Sequence, residues 1–189
     1  MADHSTDYPP EPWQLRGQVW LSLWRLRAGL VGTAFADYGS DGTLSYRELV
    51  VACPARAGML PAVRITDIWV DSATSRNGGR RLWGIPKELA AFDHDDGDAW
   101  SARADGTAIA SVRFRRGPVL LARAPFRLRT AQQRPDGATV VTPARGTARV
   151  HAAGADWSVA ADGPLGRLSG RHPFASLLLT EVRLTVGAD

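Results

Sequence analysis

Hydrophobic and polar positions alternate along much of the chain. In the segment QVWLSLWRLR, residues 18–27, Val19, Leu21 and Leu23 fall on one face of an extended chain, while two tryptophans and a serine fall on the other. A period of two residues is typical of a β-strand. The two aromatic side chains on the second face favour a strand that packs into a core.

Segments of the same character recur at intervals of about 8 to 15 residues. They are residues 31–38, 43–53, 63–70, 119–123, 139–142, 147–151, 157–160 and 176–186. Two further segments flank Asp105-Gly106, a dipeptide typical of a two-residue hairpin turn. Four tryptophans are predicted core residues, with a pocket lining as the alternative: Trp20, Trp24, Trp69 and Trp83.

The stretch after residue 70 breaks this pattern. Residues 71–80, DSATSRNGGR, are polar and contain a Gly-Gly pair, which predicts a loop. Pro86 suits the first turn of a short helix that would hold Lys87 and Glu88 just inside it. Prolines predict that residues 1–13 form an extended tail. We therefore predict one all-β or β-dominated domain over residues 14–189, a barrel or sandwich with one or two short helices.

Composition fits this prediction and excludes several classes of protein. Of 189 residues, 44% are hydrophobic and 22% are charged, which is ordinary for a globular domain. Cys53 is the single cysteine, so the chain cannot form an internal disulfide. No apolar run approaches the roughly 18 residues of a membrane span, and the first residues lack the pattern of a secretory signal. We expect a cytoplasmic protein with no membrane partner.

The charge pattern argues against a nucleic-acid partner. The formal net charge is only +4. The arginines are scattered along strand-like segments, and the densest group, Arg113, Arg115 and Arg116, fits the solvated face of one strand.

The acidic run at residues 93–98 resembles a metal-binding sequence. An EF-hand loop would need a carboxylate at its twelfth position, where this chain has Ala104, and a helix on both sides. We therefore predict a solvated turn there, and we expect neither a metal nor a cofactor.

Lysine usage is more informative than net charge. Of 23 basic residues, 22 are arginine, and the one lysine is Lys87. Only lysine can lose its proton and act as a nucleophilic amine. Composition alone leaves a functional lysine and the chance survival of one lysine as equal alternatives.

The segment around Lys87 resembles a known family. GRRLWGIPKELA, residues 79–90, resembles the GRxxxGxPKxLa signature of the acetoacetate decarboxylase family. Tyr46-Arg47-Glu48 resembles the family's Y-x-E motif, and the likeness runs roughly from Pro9 to Phe92. The resemblance implies an acetoacetate decarboxylase-like β-barrel that acts on a small keto acid or a related carbonyl compound. We also expect a homo-oligomer.

The resemblance implies roles for individual residues. Lys87 would form a Schiff base with the keto acid, and Glu48 would face its amine, to orient it or to carry a proton. Tyr46 and Trp83 would help to form the substrate pocket. Arg25 matches the family's substrate-carboxylate arginine.

The chain departs from the family directly after the lysine. Many family decarboxylases carry a second lysine there, and this chain has Glu88. A carboxylate near the amine would raise the pKa of Lys87 and oppose its activation. We therefore expect Glu88 to point away from the amine, toward solvent or an arginine. Arg27 competes with Arg25 for the carboxylate-binding role.

Schiff-base chemistry needs a neutral amine. At a reference pKa of about 10.4, only about 0.04% of a lysine is neutral at pH 7. Burial among apolar side chains lowers that pKa. We therefore predict that Lys87 and Glu48 share one buried pocket, within about 3 to 5 Å of each other.

Three functions fit these residues. The first is a carbon–carbon lyase that decarboxylates a keto acid through the lysine imine. The second is an aldolase-dehydratase or a cyclase of secondary metabolism that uses the same imine. The third is a small-ligand-binding barrel without turnover, which would not need Lys87.

Overall fold

The computed structural model describes residues 7–95, 98–134 and 136–188. Within that part, α1 is the one α-helix, and no helix is long and apolar enough to cross a membrane. The elements follow in the order β1 (Trp13–Leu26), β2 (Gly29–Tyr38), β3 (Tyr46–Ala57), β4 (Leu60–Val70), α1 (Ala73–Trp83), β5 (Lys87–Leu89), β6 (Ala91–His94), β7 (Ala99–Ala104), β8 (Thr107–Gln133), β9 (Thr139–Val159), a 3-10 turn (Gly166–Leu168) and β10 (Ala175–Val186).

The ten strands join one mixed sheet. Their order is β5-β4-β3-β2-β1-β10-β9-β8-β7-β6. Neighbours pair antiparallel except β4 and β5, which are parallel. A second parallel pairing, between Val63 of β4 and Thr130 of β8, joins strands far apart in this order, so the sheet curls back on itself. The predicted β-dominated fold with few helices is confirmed.

Two strands are longer than the sequence pattern predicted. β8 has 27 residues and β9 has 21, so segments predicted as separate strands are continuous. Three register shifts between Arg116 and Ala124 interrupt the pairing of β8 with β9. A shift of this kind adds a residue to one strand and changes the face that later side chains occupy. Alternation of polar and apolar residues alone therefore could not show that each of these strands is continuous.

The predicted hairpin is confirmed. β7 ends at Ala104 and β8 begins at Thr107. Asp105 and Gly106 have φ angles of 49° and 77°. Two successive positive φ values are typical of the type I′ turn that joins antiparallel strands. A two-residue turn is determined by the residues within it, so it can be predicted directly from the sequence.

The largest core lies on the face that carries the tryptophans of β1. Trp20 and Trp24 are both 1% exposed, and Phe35 of β2 is fully buried. The Phe35 ring stacks on Trp100 and Trp157, at centroid distances of 5.2 and 5.7 Å. Trp20 and Trp24 are therefore core residues, as predicted. The same cluster includes Leu49, Val51, Trp69 and Leu178.

The prediction of a loop followed by a helix is wrong. The helix α1 spans Ala73–Trp83 and so occupies the polar segment predicted as a loop. Lys87, predicted just inside a helix, begins the short strand β5. Glycine costs about 1 kcal/mol relative to alanine in a helix interior, so the Gly-Gly pair argued against a helix. Packing requires the pair, because a Cβ at Gly78 or Gly79 would collide with Trp13 or Lys87.

Both ends of α1 carry capping residues. Ser72 is the N-cap, and its hydroxyl accepts a hydrogen bond from the Ser75 backbone N–H. Gly84 ends the helix with a φ of 66°, and its N–H donates to the Arg80 carbonyl. Serine and glycine are preferred at these two positions. The caps are the signal in the sequence that identifies this helix.

Phe35→Ala is expected to lower the free energy of unfolding by about 3–5 kcal/mol, because it leaves a cavity between two indole rings. Urea unfolding followed by tryptophan fluorescence measures the change. Phe174→Ala is the matched control, since Phe174 is 55% exposed and its loss should cost under about 1 kcal/mol. Equal losses in the two variants would contradict this account of the core.

Candidate active site

Lys87 is buried between the sheet and α1. On β5 it pairs with Ile68 of β4, and its side chain is 3% exposed. Successive side chains of a strand point to opposite faces. Glu88 therefore lies on the other side of β5, where its carboxylate pairs with Arg80. The expectation that Glu88 points away from the amine, toward an arginine, is confirmed.

Glu48 lies beside the amine of Lys87. It is opposite Ala36 of β2 and Val70 of β4, so these side chains share one face of the sheet. Glu48 Oε2 is 3.5 Å from Lys87 Nζ, and the Glu48 side chain is 11% exposed. The pairing of β3 with β4, and of β4 with β5, brings these two distant positions of the chain within the predicted distance.

Hydroxyl groups complete the surroundings of the amine and the carboxylate. Lys87 Nζ donates to Ser75 Oγ at 2.8 Å and to Tyr46 Oη at 3.4 Å. Tyr38 Oη donates to Glu48 Oε1 at 3.5 Å. Nζ also lies 4.7 Å from the centroid of the Tyr46 ring. The five side chains form one buried polar network, which contains the predicted residues Lys87, Glu48 and Tyr46.

Ser75 and Tyr38 are members of the network that the sequence analysis missed. Ser75 is fully buried in the first turn of α1. Recognition of Ser72 as the N-cap would have placed Ser75 on that turn. Tyr38 lies directly opposite Tyr46, a relation that appears only once the register of β2 and β3 is known.

The N-terminal segment packs over the site. β1 begins at Trp13, a residue that we expected in the extended tail. Trp13 is fully buried, and its ring centroid is 5.9 Å from Lys87 Nζ. The Trp13 indole N–H donates to the Pro9 carbonyl at 2.9 Å. The Trp83 indole N–H donates to Glu11 Oε2 at 2.7 Å. We call residues 8–13 the aromatic cover of the site.

Burial lowers the pKa of Lys87, because removal of the ammonium from water disfavours the charged form. The Glu48 carboxylate opposes this effect, and burial is the larger influence. The neutral amine is therefore more populated than in an exposed lysine. Burial, and after it the charge of Glu48, raises the pKa values of Tyr38 and Tyr46 well above the usual 10.0, so both stay phenols.

The structure does not bring Arg25 to this site. Arg25 is exposed at the end of β1 far from Trp13, where it pairs with Leu30 beside the β1–β2 turn. Its guanidinium lies 5.6 Å from the centroid of the Phe174 ring. Trp83 reaches the site indirectly, through an edge contact with Trp13 at a centroid distance of 4.7 Å. Residue type and strand membership do not show which end of a strand meets the site.

The acidic run at residues 93–98 lies partly outside the described residues, which omit positions 96 and 97. Asp95 Oδ1 accepts a hydrogen bond from the Ala99 backbone N–H, and Asp98 Oδ1 accepts one from the Trp20 indole. Within the described ranges, no group of three or more His, Cys, Asp or Glu side chains is arranged to hold a metal ion.

A curled β-dominated sheet with a buried lysine beside a glutamate characterises this molecule. The model of the acetoacetate decarboxylase family matches residues 19–157. The chain therefore belongs to the acetoacetate decarboxylase family.

Solved structures share the fold. The acetoacetate decarboxylase from Legionella pneumophila subsp. pneumophila str. Philadelphia 1 is 15% identical, with a TM-score of 0.72 over 99% of this chain and 89% of that chain. The enduracididine biosynthesis enzyme MppR, complexed with pyruvate, is 15% identical, with a TM-score of 0.67 over 98% and 91%. An acetoacetate decarboxylase-like enzyme from Sphingomonas wittichii RW1 is 15% identical, with a TM-score of 0.61 over 99% and 96%. No curated protein matches the chain significantly.

Gly79→Ala is expected to displace the Lys87 side chain, because the new Cβ would lie 2.8 Å from Lys87 Cδ and 2.9 Å from Cε. Overpacking of this kind costs about 1–3 kcal/mol. Borohydride trapping of a keto acid on Lys87 should fall by about tenfold or more. Gly32→Ala is the matched control, because its nearest contact would be an ordinary 3.7 Å to Leu23. Equal trapping in both variants would show that the position of Lys87 does not depend on Gly79.

Proposed function

We propose that this protein is a carbon–carbon lyase that decarboxylates a small keto acid through a Schiff base on Lys87. The observation that carries the proposal is the one lysine of the chain, buried with its Nζ 3.5 Å from Glu48 Oε2. A buried lysine can present a neutral, nucleophilic amine, which arginine cannot. Membership of the acetoacetate decarboxylase family supports the same scaffold.

The reaction begins when the neutral Lys87 amine attacks the ketone carbon of a β-keto acid. Loss of water gives an iminium ion. The bond to the carboxylate carbon then breaks, CO2 leaves, and the bonding electrons move toward the iminium nitrogen to give an enamine. Protonation of the enamine carbon and hydrolysis release the ketone and restore the amine. One keto-acid anion and one proton become one ketone and one CO2, so no cofactor is needed.

Glu48 is the proton carrier in this scheme. Its carboxylate lies within reach of Nζ, directly or through one water molecule, so it can take the proton that the attacking amine loses. The same group then returns a proton to the enamine carbon. Tyr46 and Ser75 hold Nζ in place through their hydroxyls. The buried Trp13 ring covers the amine and limits its contact with water.

The charge around Nζ favours loss of the substrate carboxylate. Among the described residues, the partners of the Lys87 amine and of the Glu48 carboxylate include no arginine or histidine. A substrate carboxylate bound there would lie against the Glu48 carboxylate and the aromatic cover, and it would lose its contact with water. Such an environment destabilises the charged carboxylate relative to neutral CO2.

A second candidate function is aldol condensation followed by dehydration, or cyclisation, on the same imine. A structure of MppR, which shares the fold, holds the condensation product of pyruvate and imidazole 4-carboxaldehyde. The enamine carbon of a Lys87 adduct could attack an aldehyde in the same way. Release of CO2 in a coupled assay supports the lyase, whereas a condensed product without CO2 supports this alternative.

The partner that we propose is therefore a small carbonyl compound. A homo-oligomer and a cytoplasmic location stay predictions. Sedimentation velocity of the purified chain tests the first, and fractionation of the native cell tests the second.

A keto acid with borohydride is expected to give one stable adduct, on Lys87, which peptide mass spectrometry locates. Lys87→Arg should abolish the adduct and turnover, because arginine keeps the charge but is not a nucleophile at neutral pH. Lys87→Met, which removes the buried charge, is a second variant in case arginine does not fit. Full turnover in either folded variant would contradict the mechanism. An unmodified Lys87 across a broad set of keto acids would favour the binding barrel.

Glu48→Gln is expected to lower the pKa of Lys87 further, because the Glu48 carboxylate raises it. The acid limb of the borohydride-trapping profile should therefore move to lower pH. Turnover should fall by about 10²- to 10⁴-fold, because the proton carrier is lost. Glu88→Gln is the matched control, since that exposed carboxylate pairs with Arg80 and should leave the profile unchanged. An acid limb that stays in place in Glu48→Gln would contradict the coupling of the two groups.

A further inference from the structure

A groove with a volume of about 960 Å³ opens where β1, β8, β9 and β10 meet, and Lys87 is not part of its lining. Guanidinium groups dominate its charge, since five arginines and two carboxylates, those of Asp41 and Glu181, line it. We call it the arginine groove. Its arginines are Arg16, Arg116, Arg123, Arg149 and Arg183.

The two carboxylates leave most of this charge uncompensated. Arg16 Nη1 lies 3.7 Å from Asp41 Oδ2, and Arg149 Nε lies 3.0 Å from Glu181 Oε1. No carboxylate of the described residues lies within ion-pair distance of the other three guanidinium groups. The groove therefore presents an excess of positive charge in a concave surface, where field lines converge.

The strand register places like charges together. Arg16 of β1 and Arg183 of β10 are directly opposite each other in the antiparallel pairing. Like charges at such a position destabilise a sheet. An anion bound between two guanidinium groups would convert that repulsion into two attractive contacts.

The backbone beside this pair is strained. The pairing of β10 with β9 shifts register between Thr180 and Arg183, and Glu181 within that bulge has a φ of 52°. Residues other than glycine adopt this left-handed conformation at a cost, and such residues cluster at functional sites. The bulge puts the Glu181 carboxylate beside Arg149.

One hydrogen-bond donor in the wall of the groove also lacks an acceptor among the described residues. Although Glu181 Oε1 is 3.0 Å away, the buried Arg149 Nε–H lacks hydrogen-bond geometry to any acceptor of the described residues. Next to it, the buried His151 Nε2 lies 3.1 Å from Thr180 Oγ1. Buried polar groups in native proteins are normally hydrogen-bonded. Glu181 therefore leaves the Arg149 Nε–H without a well-aligned acceptor among the described residues.

We propose that the arginine groove binds a small multivalent oxyanion, a ligand that carries two or more phosphate or carboxylate groups. The planar guanidinium matches both groups through paired hydrogen bonds, which a lysine would not provide. More than one anionic group is needed because three arginines have no carboxylate partner among the described residues and lie on two different strands, β8 and β10. The site is independent of the Lys87 chemistry.

Calorimetric titration of the full chain at low ionic strength tests the proposal. Pyrophosphate and citrate are the probes, which distinguish phosphate from carboxylate ligands, and acetate is the monovalent comparison. At least one of the two probes should bind saturably, at one per chain and more tightly than acetate. Lys87→Met should bind that probe as tightly as the unchanged protein does, which separates this site from the proposed lyase site.

Arg183→Gln and Arg116→Gln should each weaken binding of that probe by about tenfold or more, since each removes charge-assisted hydrogen bonds. Arg103→Gln is the matched control, because it removes one exposed arginine of β7 outside the groove and should change affinity by less than about twofold. Thermal unfolding identifies a variant that does not fold, and Arg123→Gln then replaces it.

Three results would overturn the proposal. The first is the absence of saturable binding for both probes. The second is that Arg103→Gln weakens binding of the probe equally, which would show that the effect comes from net charge alone. The third is tighter binding of single-stranded DNA than of either probe, lost in Arg183→Gln, which would make the groove a nucleic-acid surface.

Discussion

The site depends on the burial of one amine beside one carboxylate. Desolvation of a fully buried lysine can lower its pKa by as much as 3–5 units, and a nearby carboxylate acts in the opposite direction. In this chain burial is the larger influence on Lys87, although Glu48 Oε2 is only 3.5 Å from Nζ. Burial therefore makes the ammonium form of Lys87 less favourable than in an exposed lysine, in spite of the nearby carboxylate. The aromatic cover, α1 and three strands all contribute to that burial.

The remaining polar groups leave one route for a proton. The pKa values of Tyr38 and Tyr46 are raised well above 10, so neither phenol exchanges a proton near neutral pH. The Ser75 hydroxyl can accept a hydrogen bond from an ammonium and donate one to a neutral amine, so it holds Nζ in either state. The proposed mechanism therefore assigns to Glu48, the remaining group of the network, the proton that the attacking amine loses.

The fold could be predicted as far as local chemistry determines it. Alternation identified the β-dominated class, and Asp105-Gly106 identified a turn, because these signals lie within a few residues. The helix was missed because Gly78 and Gly79 oppose a helix locally, while their contacts with Trp13 and Lys87 require them. Long-range packing overrode local propensity at that point.

The residues of the site could likewise be predicted only in part. The resemblance to the family's motifs pointed to Lys87, Glu48 and Tyr46, which the structure brings together. Ser75 belongs to the network through a helix that was not predicted, and Arg25 lies at the far end of its strand. Membership of a site depends on register and on strand direction, which are properties of the assembled sheet.

Glu88 shows how the assembled structure resolves a conflict that the sequence raised. In a helix, the side chains of Lys87 and Glu88 would have pointed about 100° apart around the axis, which would already have reduced the influence of Glu88 on the amine. On β5 the two side chains occupy opposite faces, and Arg80 holds them there: its Nε donates to the Lys87 carbonyl at 2.6 Å while its Nη2 pairs with the Glu88 carboxylate. In this chain the charge of Glu88 is screened from the amine by the strand itself, so desolvation alone has to lower the pKa of Lys87 against Glu48. That requirement explains why the amine is buried so completely.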